Sequence, residues 1–289
     1  MACLVDVKTM LEAGVHFGHQ IRKWNPKMRP YIYSQRDGVH IVDLSQTAKQ
    51  AEKAYKFVAD TVALGSSVLF VGTKKQAVNA ISTEAQRVKQ FYVCNRWLGG
   101  MLTNFKTIKA SIDRLDQLSA RRDKGELEKL SKKEGLQIEK QIEKLESILG
   151  GIRTMKTVPG AMFIIDPIEE KIALLEARKL GIPVIALADT NANPDGIDYI
   201  IVGNDDAIRS VEYFTKIIAD ACEEGSQRRE LSLREQAEKG SKEEPENKGP
   251  AIREHKMSGK GRAYVGKKKE EETPASEKEV EEFSKVKVE

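Results

Sequence analysis

Cysteine is scarce in this chain of 289 residues: Cys3, Cys94 and Cys222 form an odd and widely scattered set. Such a set argues against a secreted disulfide framework and for a reducing compartment. The chain also lacks any run of 18 consecutive apolar residues, so no membrane-spanning helix is expected. Only four histidines occur, and no serine–histidine–aspartate or cysteine–histidine spacing of a nucleophilic enzyme stands out. These absences predict a soluble, cytosolic protein.

The net charge is also small, at +4, and this total does not by itself indicate a polyanionic partner. The distribution is more informative. Residues 1–110 carry 16 basic and 7 acidic side chains, a balance of +9. Residues 111–225 carry 16 and 22, a balance of −6, and residues 226–289 carry 16 and 15, a balance of +1. The positive charge is therefore concentrated in the first third of the chain.

Short apolar runs, most of them followed by a helical pattern, predict an α/β fold. Continuous apolar runs suit strands that are covered on both faces, and repeated β-α units imply right-handed crossovers in a parallel sheet. The pattern predicts a three-layer, doubly wound sheet of about five parallel strands. The predicted strands are residues 68–71, 91–94, 161–165, 184–188 and 199–202.

Residues 106–151 interrupt this alternation, with neither proline nor an aromatic residue. Apolar residues recur there at spacings of four and three, which is typical of a narrow coiled-coil seam. They are Ile108, Ile112 and Leu115 in the first arm and Ile138, Ile142, Leu145 and Leu149 in the second. A break at residues 121–125 predicts an antiparallel helical hairpin inserted between two strands. Its many charges are most simply explained as solvated helix faces with Glu/Lys pairs.

The domain prediction follows from these segments. Residues 1–105 and 152–225 form the α/β globular domain, and residues 106–151 form the coiled-coil insertion. In residues 226–289, 31 of 64 side chains are charged and apolar residues are too sparse to build a core, which predicts a charged, disordered tail. Basic stretches in this tail leave two interpretations open, RNA contact and a purely solubilising role.

Two stretches without acidic residues mix cations with aromatic side chains. Residues 20–36 contain five basic side chains with Trp24 and two tyrosines, and residues 87–109 contain five with Trp97 and Phe105. Cations neutralise phosphates, and exposed rings can stack on unpaired bases, so this composition favours a nucleic acid. The alternative is that the rings belong to the core and the cations are merely solvated.

The strand end at Gly72-Thr73 opens a predicted helix with Lys74 and Lys75. Free backbone N–H groups and the positive helix end favour an anion there. The spacing is not that of a P-loop, because the GxxxxGK pattern is absent. A nucleotide and an RNA phosphate therefore remain as two interpretations.

Acidic residues follow three of the predicted strands, where open α/β sheets place their ligands. Asp166 follows the third strand, Asp189 follows the fourth, Asp205 and Asp206 follow the fifth, and His19 could approach the same edge. Carboxylates and imidazoles are suitable ligands for a divalent metal. The competing interpretation is that these residues are ordinary helix caps.

Several long motifs resemble one known family. The chain is similar, in order from about residue 4 to 224, to bacterial small-subunit ribosomal protein S2. The motifs are MLEAGVHFGHQ (10–20), WNPKM (24–28), VLFVGTKKQA (68–77), RWLGGMLTNF (96–105), FIIDP (163–167), EARKLGIPVIAL (176–187), DTN (189–191) and GNDDAIRS (203–210).

This resemblance implies a flavodoxin-like fold with an inserted helical hairpin. It implies a structural protein, not an enzyme, that acts in translation on the small ribosomal subunit in the cytoplasm. The protein would bind ribosomal RNA, lie between the head and the body, and help dock ribosomal protein S1 near the messenger exit. The implied partners are small-subunit ribosomal RNA and other ribosomal proteins, with neither a membrane nor DNA. No cofactor is required.

The resemblance also implies roles for particular residues. The RNA-facing candidates carried over by motif are Trp24, Asn25, Lys27, Lys74, Lys75, Arg96, Trp97 and Asn104. The basic stretches add Arg22, Lys23, Arg29 and Lys106. One structural divalent metal, zinc or magnesium, is implied near His19, Asp189, Asp205 and Asp206. Val202 stands where the family usually has proline, which loosens the turn at Gly203.

Two other classes of protein remain as alternatives. A receiver-like phosphoacceptor also uses strand-end aspartates on a doubly wound sheet, with a threonine such as Thr190 and a lysine. A nucleotide-dependent enzyme could be built on Gly72–Lys75 instead. Neither class needs a long helical hairpin or aromatic stretches free of acidic residues.

Overall fold

A computed structural model describes residues 6–129 and 131–240. The strands β1–β8 are Phe17–Gln20, Ile32–Arg36, Val39–Val42, Val68–Val71, Phe91–Val93, Ala161–Ile165, Val184–Ala188 and Tyr199–Val202. The helices α1–α7 are Val7–Glu12, Leu44–Ala63, Lys75–Arg87, Phe105–Asp123, Lys132–Leu149, Lys171–Leu180 and Ile208–Gly240. Short 3₁₀ helices span Ile21–Lys23, Pro26–Tyr31, Glu126–Lys129 and Gly150–Ile152.

Strands β4 to β8 form one parallel sheet in the order β5-β4-β6-β7-β8. The chain enters in the interior of the sheet at β4, moves to one edge at β5, and crosses to the other side at β6. This reversal is the mark of a doubly wound, flavodoxin-like sheet. The prediction of a three-layer α/β fold with about five parallel strands is confirmed. The strand expected at residues 91–94 ends one residue early, at Val93.

Successive side chains of the parallel strands bury opposite faces of the sheet. Phe70 and Phe163 belong to a core cluster shared with α2, α3 and α7, and their rings meet edge to face with centroids 5.7 Å apart. Leu69 and Met162 belong to a second cluster shared with α4, α5 and α6. Burying each large apolar side chain contributes roughly 1.5–3 kcal/mol, so both helical layers are held by the alternation of the strands.

A second, antiparallel sheet has the order β1-β3-β2. Asp37 and Gly38 link β2 to β3 with φ of 53° and 78°. Both values lie in the left-handed region that tight hairpin turns require, so the Asp-Gly dipeptide forms the turn its type favours. The sequence analysis did not predict β1, because FGHQ shows no run of β-forming residues.

The stretch expected to form a helical hairpin contains α4 and α5. Ile108, Ile112 and Leu115 are buried on α4, and Ile142 and Leu149 are buried on α5. All five belong to the same apolar cluster as one face of the parallel sheet. The seam of the hairpin is therefore continuous with the core at its base and is not a separate core of its own.

The tail prediction is wrong for residues 226–240, because α7 continues to Gly240. The packing, in contrast, does end near the predicted boundary. Gly225 is buried against α2, where an added Cβ would lie 2.5 Å from the Ala59 carbonyl oxygen, and the side chains of residues 226–235 are exposed. This segment is rich in arginine, glutamate, leucine and glutamine, which have high intrinsic helix propensity. The helix therefore continues although its side chains do not pack against a core. Residues 241–289 lie outside the described residues.

Candidate functional site

The loops that follow β4, β6 and β8 bring one lysine and three aspartates together at the carboxyl edge of the sheet. The Lys74 Nζ lies 2.6 Å from Asp166 Oδ2, 2.9 Å from Asp205 Oδ1 and 2.8 Å from Asp206 Oδ1. Burial opposes the charge of Lys74, but hydrogen bonds to Asp166 and the charge of Asp205 outweigh it and raise the pKa of this ammonium. Lys74 was predicted to face RNA, and its side chain is only 13% exposed because it serves this cluster.

The anion site predicted at Gly72-Thr73 is filled from within the protein. The backbone N–H of Thr73 donates to Glu170 Oε1 at 2.5 Å. Glu170 is 2% exposed, and burial raises its pKa, with the hydrogen bond from Thr73 offsetting only part of the effect. Neither a nucleotide nor an RNA phosphate can take this position while the carboxylate occupies it. Sequence reasoning missed Glu170, because its partner lies far away in the chain.

His19 is fixed at the same edge by the loop that follows β7. Its Nδ1 lies 2.7 Å from Asp189 Oδ2, and its backbone N–H donates to Thr190 Oγ1 at 3.0 Å. The hydrogen bond to Asp189 raises the pKa of His19. Close approach of the two segments requires Gly18, since a Cβ there would lie 2.8 Å from Thr190 Cγ2. Asp189 therefore orients His19 and does not face the centre of the cluster.

Three groups converge where the resemblance implied a metal. The ligand atoms of His19, Asp205 and Asp206 lie within 4.8 Å of one another. Lys74 engages Oδ1 of both aspartates, while Asp205 Oδ2 is buried without a hydrogen-bond partner and Asp206 Oδ2 lies 3.6 Å from His19 Nε2. Burial and the nearby charge of Asp166 raise the pKa of Asp205 to about 7. An orphaned carboxylate oxygen beside an oriented imidazole is the arrangement that a divalent cation fits.

The first basic stretch is attached to this edge by its backbone. The Asn25 N–H donates to the Thr190 carbonyl at 2.8 Å, and Asn25 Oδ1 accepts from the Lys27 N–H at 3.0 Å. Trp24 is half-buried, with its ring 5.2 Å from that of His40. Lys27 forms an ion pair with Asp195. The backbone of the stretch is thereby fixed while its cations remain at the surface.

The second basic stretch folds around one buried carboxylate. Glu176 accepts hydrogen bonds from Trp97 Nε1 at 3.1 Å and from the backbone N–H groups of Gly100, Leu102 and Thr103 at 2.7, 3.0 and 3.0 Å. The Thr103 hydroxyl adds a fifth bond at 3.1 Å. Burial acts to raise the pKa of Glu176, but these donors together hold it below its ordinary value.

Trp97 was predicted to meet RNA, and it is 8% exposed with its indole N–H turned to Glu176. It supports the loop from beneath and has no free face for a base. Sequence reasoning missed Glu176, although a signal existed. This glutamate lies on the buried helix face of Ala173, Leu174 and Ala177, which is otherwise apolar.

The predicted RNA-facing residues thus separate by exposure. Trp24, Asn25 and Lys74 are half-buried, and Trp97 is buried. The exposed members are Arg22, Lys23, Lys27, Arg29, Lys75, Arg96, Asn104 and Lys106.

Comparison with known proteins identifies the family. The family model described as Ribosomal protein S2 matches residues 10–225. The chain belongs to the ribosomal protein S2 family.

Individual relatives agree with this assignment. The chain is 55% identical over 234 residues to small ribosomal subunit protein uS2 of Geotalea uraniireducens strain Rf4, covering 81% of this chain and 91% of the relative. It is 57% identical over 221 residues to uS2 of Lawsonia intracellularis strain PHE/MN1-00, covering 76% of each chain. It is 53% identical over 225 residues to uS2 of Sorangium cellulosum strain So ce56, covering 78% and 81%.

The S2 family is a structural component of the small ribosomal subunit in translation, and its members are not enzymes. The predictions of family, class of function and location on the cytoplasmic ribosome are confirmed. The alternatives of a phosphoacceptor and of a nucleotide-dependent enzyme are wrong, because members of the S2 family are structural ribosomal proteins. Within the described residues, no helix combines the length and apolar character needed to cross a membrane.

Proposed function

We propose that this S2 protein binds small-subunit ribosomal RNA through the cations exposed at the carboxyl edge of its sheet. The observation that carries the proposal is the contrast between side chains and backbone. Arg22, Lys23, Arg29 and Arg96 are exposed, and none forms an ion pair within the described residues. The backbone beside them is fixed, because the Asn25 N–H donates to the carbonyl of buried Thr190 and the Gly100 N–H donates to the buried Glu176 carboxylate. Cations presented on a fixed backbone are suited to the defined positions of phosphates in folded RNA.

The two stretches reach the same edge at separate points. Residues 20–29 are attached beside the loop that follows β7, and residues 96–104 follow β5. Three strand spacings separate β5 from β7, which is about 14 Å. The binding surface is therefore broad and suits a folded RNA with phosphates on both sides of the edge.

The experiment is cross-linking of assembled small subunits by ultraviolet light, followed by mass spectrometry of the RNA-bound peptides. We expect RNA adducts on peptides that contain residues 20–29 and 96–106. A matched internal comparison is the outer face of α2, where Lys49, Lys53 and Lys56 are equally exposed. Adducts confined to α2 would overturn the proposal.

The position and the protein partner extend this proposal. We infer that the protein lies between head and body and supports the docking of ribosomal protein S1, and the similarity over residues 10–225 supports this inference. Small subunits purified from cells depleted of this protein should contain less S1 than control subunits. Unchanged S1 content in depleted subunits would contradict the docking role.

We propose in addition that His19 Nε2, Asp205 and Asp206 hold one structural divalent cation, zinc or magnesium. The orphaned Asp205 Oδ2 supports this set, and Asp189 and Lys74 would act as its outer partners. A bound cation would neutralise the clustered carboxylates and link β1 to the loop that follows β8. The site would have no catalytic role.

Metal content and thermal midpoint test this site together. An ion that binds only the folded protein stabilises it by mass action, by about 2.7 kcal/mol at one hundred times its Kd. Zinc and magnesium should raise the midpoint of the parent protein and have a weaker effect on His19→Gln. Asp195→Asn, which changes an exposed aspartate outside the cluster, is the control. Equal responses in the parent and in His19→Gln would leave Lys74 as the cation of the cluster.

A further inference from the structure

The amino-terminal edge of the parallel sheet carries a groove on the side opposite to the RNA candidates. Two adjoining cavities of about 390 and 380 Å³ share Gly65, Ser66, Ser67 and Phe91 in their lining. Ser67 immediately precedes β4 and Phe91 begins β5, while the cluster around Lys74 follows the far ends of the strands. The groove is thus separated from the carboxyl edge by the length of the sheet.

Three cations line this groove. Lys89, Lys156 and Arg229 are exposed, and none of them takes part in an ion pair within the part of the chain that the structure describes. One acidic residue, Glu230, also lines the groove, but its carboxylate is paired with Arg234 at 2.6 Å. The lining therefore has an excess of positive charge that an acidic ligand would complement.

The backbone at Lys89 is unusual. This residue follows Val88, the C-cap of α3, and has a φ of 55°, in the left-handed region where a helix end usually takes glycine. An L side chain rarely adopts that conformation. The Lys89 side chain nevertheless lies at the rim of the groove.

Aliphatic side chains are exposed around the same groove. Leu233 is 53% exposed and Val158 is 46% exposed, and both line the cavities. Leu64, next to Gly65 in the chain, is 87% exposed. Clustered exposed apolar side chains are typical of a protein interface. An RNA would instead favour exposed rings for stacking, and the ring of Phe91 is only half-exposed.

We propose that this groove binds an acidic polypeptide segment with apolar side chains, carried by a neighbouring protein of the small ribosomal subunit. Carboxylates of the segment pair with Lys89, Lys156 and Arg229, and its apolar side chains cover Val158 and Leu233. Because the groove and the RNA candidates lie at opposite edges of the sheet, one molecule can hold RNA and this protein segment at the same time.

A photo-cross-linking amino acid at position 158 tests the class of the partner. The full chain, with Val158 replaced by benzoylphenylalanine, is assembled into small subunits, irradiated and digested. We expect an adduct to a protein peptide with more aspartate and glutamate than lysine and arginine. An RNA adduct, an adduct to a basic peptide, or no adduct in assembled subunits would overturn the proposal.

Charge reversal tests the recognition itself with a defined probe. The probe is a fluorescein-labelled synthetic peptide of alternating glutamate and leucine pairs, and its binding to the full chain is followed by anisotropy. Lys89→Glu combined with Lys156→Glu and Arg229→Glu should weaken binding at least tenfold. The matched control reverses Lys49, Lys53 and Lys56, which are exposed on α2 away from the groove, and should change binding less than twofold.

The control variant also represents a rival site, because Lys49 and Lys53 line a different cavity of about 380 Å³ beside β8. Loss of peptide binding in the α2 variant with retention in the groove variant would overturn the proposal. Circular dichroism of both variants ensures that each remains folded. Equal weakening by the two variants would show general charge attraction and would contradict a specific groove.

Discussion

The loops that follow β4 and β5 both bind a buried glutamate, but they compensate its charge to different extents. Each directs backbone N–H groups toward an anion, and in each the anion is a glutamate from the α6 segment. Glu170 accepts from Thr73 after β4, and Glu176 accepts five hydrogen bonds from the loop after β5. In many doubly wound proteins an external ligand occupies such positions. In this S2 protein the ligand positions are filled by its own carboxylates, which suits a structural role.

The difference between the two glutamates lies in how well each charge is compensated. Burial dominates at Glu170 and raises its pKa, whereas the five donors dominate at Glu176 and lower its pKa. Glu176 is thus a stabilised anion that organises a surface loop. Glu170 fills space and a hydrogen-bonding position at some electrostatic cost.

The largest expected effect on stability comes from removing Glu176, the better-compensated of the two carboxylates. Glu176→Ala leaves the N–H groups of Trp97 and Leu102 without an acceptor in a buried position. Each unsatisfied buried group costs about 1–3 kcal/mol, so we expect a loss of about 3–5 kcal/mol of unfolding free energy. Urea unfolding measures it. The control is Glu169→Ala at an exposed position nearby, which should stay within about 0.5 kcal/mol. A Glu176→Ala loss no larger than the control would remove Glu176 as the organiser of the loop.

A smaller effect is the pH dependence of stability, because the contributions of the two glutamates to the unfolding free energy change in opposite directions with pH. Because the folded pKa of Glu176 is lowered, its contribution is present above the ordinary value of 4.5 and is lost as the pH falls through the folded value. Because the folded pKa of Glu170 is raised, its contribution is present below 4.5 and is lost as the pH rises through the folded value.

Unfolding free energies between about pH 3 and pH 7 check these signs, because the Glu176 contribution changes below 4.5 and the Glu170 contribution above it. The advantage of the parent over Glu176→Gln should grow as the pH rises, and that over Glu170→Gln should shrink, each by about 1.4 kcal/mol for every pH unit that separates the folded pKa from 4.5. The same direction of change for both variants would contradict the contrast.

The smallest expected effect concerns Trp97. Trp97→Phe keeps a ring in the buried pocket and removes one of the donors to Glu176. We expect RNA affinity within about twofold of the parent, since the ring has no exposed face, and a stability loss of about 1 kcal/mol. Arg96→Ala, at the exposed neighbouring position, should weaken RNA binding more. A large loss of RNA affinity in a stable Trp97→Phe protein would contradict this prediction and would indicate that the Trp97 ring stacks on an RNA base.

Local patterns predicted the parallel sheet well because its strands are short, continuous apolar runs. Val68–Val71 and Ala161–Ile165 are buried at every position, so the length of the apolar run alone indicates their extent. The fold class followed from the alternation of such runs with helical patterns. In contrast, β1 has a weak local signal and depends on pairing with β3.

Charged residues were harder to assign, because their roles depend on partners distant in sequence. The resemblance implied that His19 and Asp205 lie at one edge of the sheet. It did not reveal that Lys74 forms an ion pair with Asp205. Glu170 and Glu176 acquire their roles from loops 73 to 97 residues away in the chain. Similarly, the charged composition after Gly225 indicated where packing ends, although the helix itself continues.

The salt dependence of RNA binding tests the central claim most directly. Filter binding of small-subunit ribosomal RNA is measured at several salt concentrations for the parent and for a variant with Arg22→Ala, Lys23→Ala and Arg29→Ala. Each lost phosphate contact removes about 0.7–0.9 from the slope of log K against log salt, so the slope should fall by about 2–3. A variant with Lys49, Lys53 and Lys56 replaced by alanine should keep the parental slope. An unchanged slope in a folded Arg22, Lys23 and Arg29 variant would contradict the assignment of this surface to RNA.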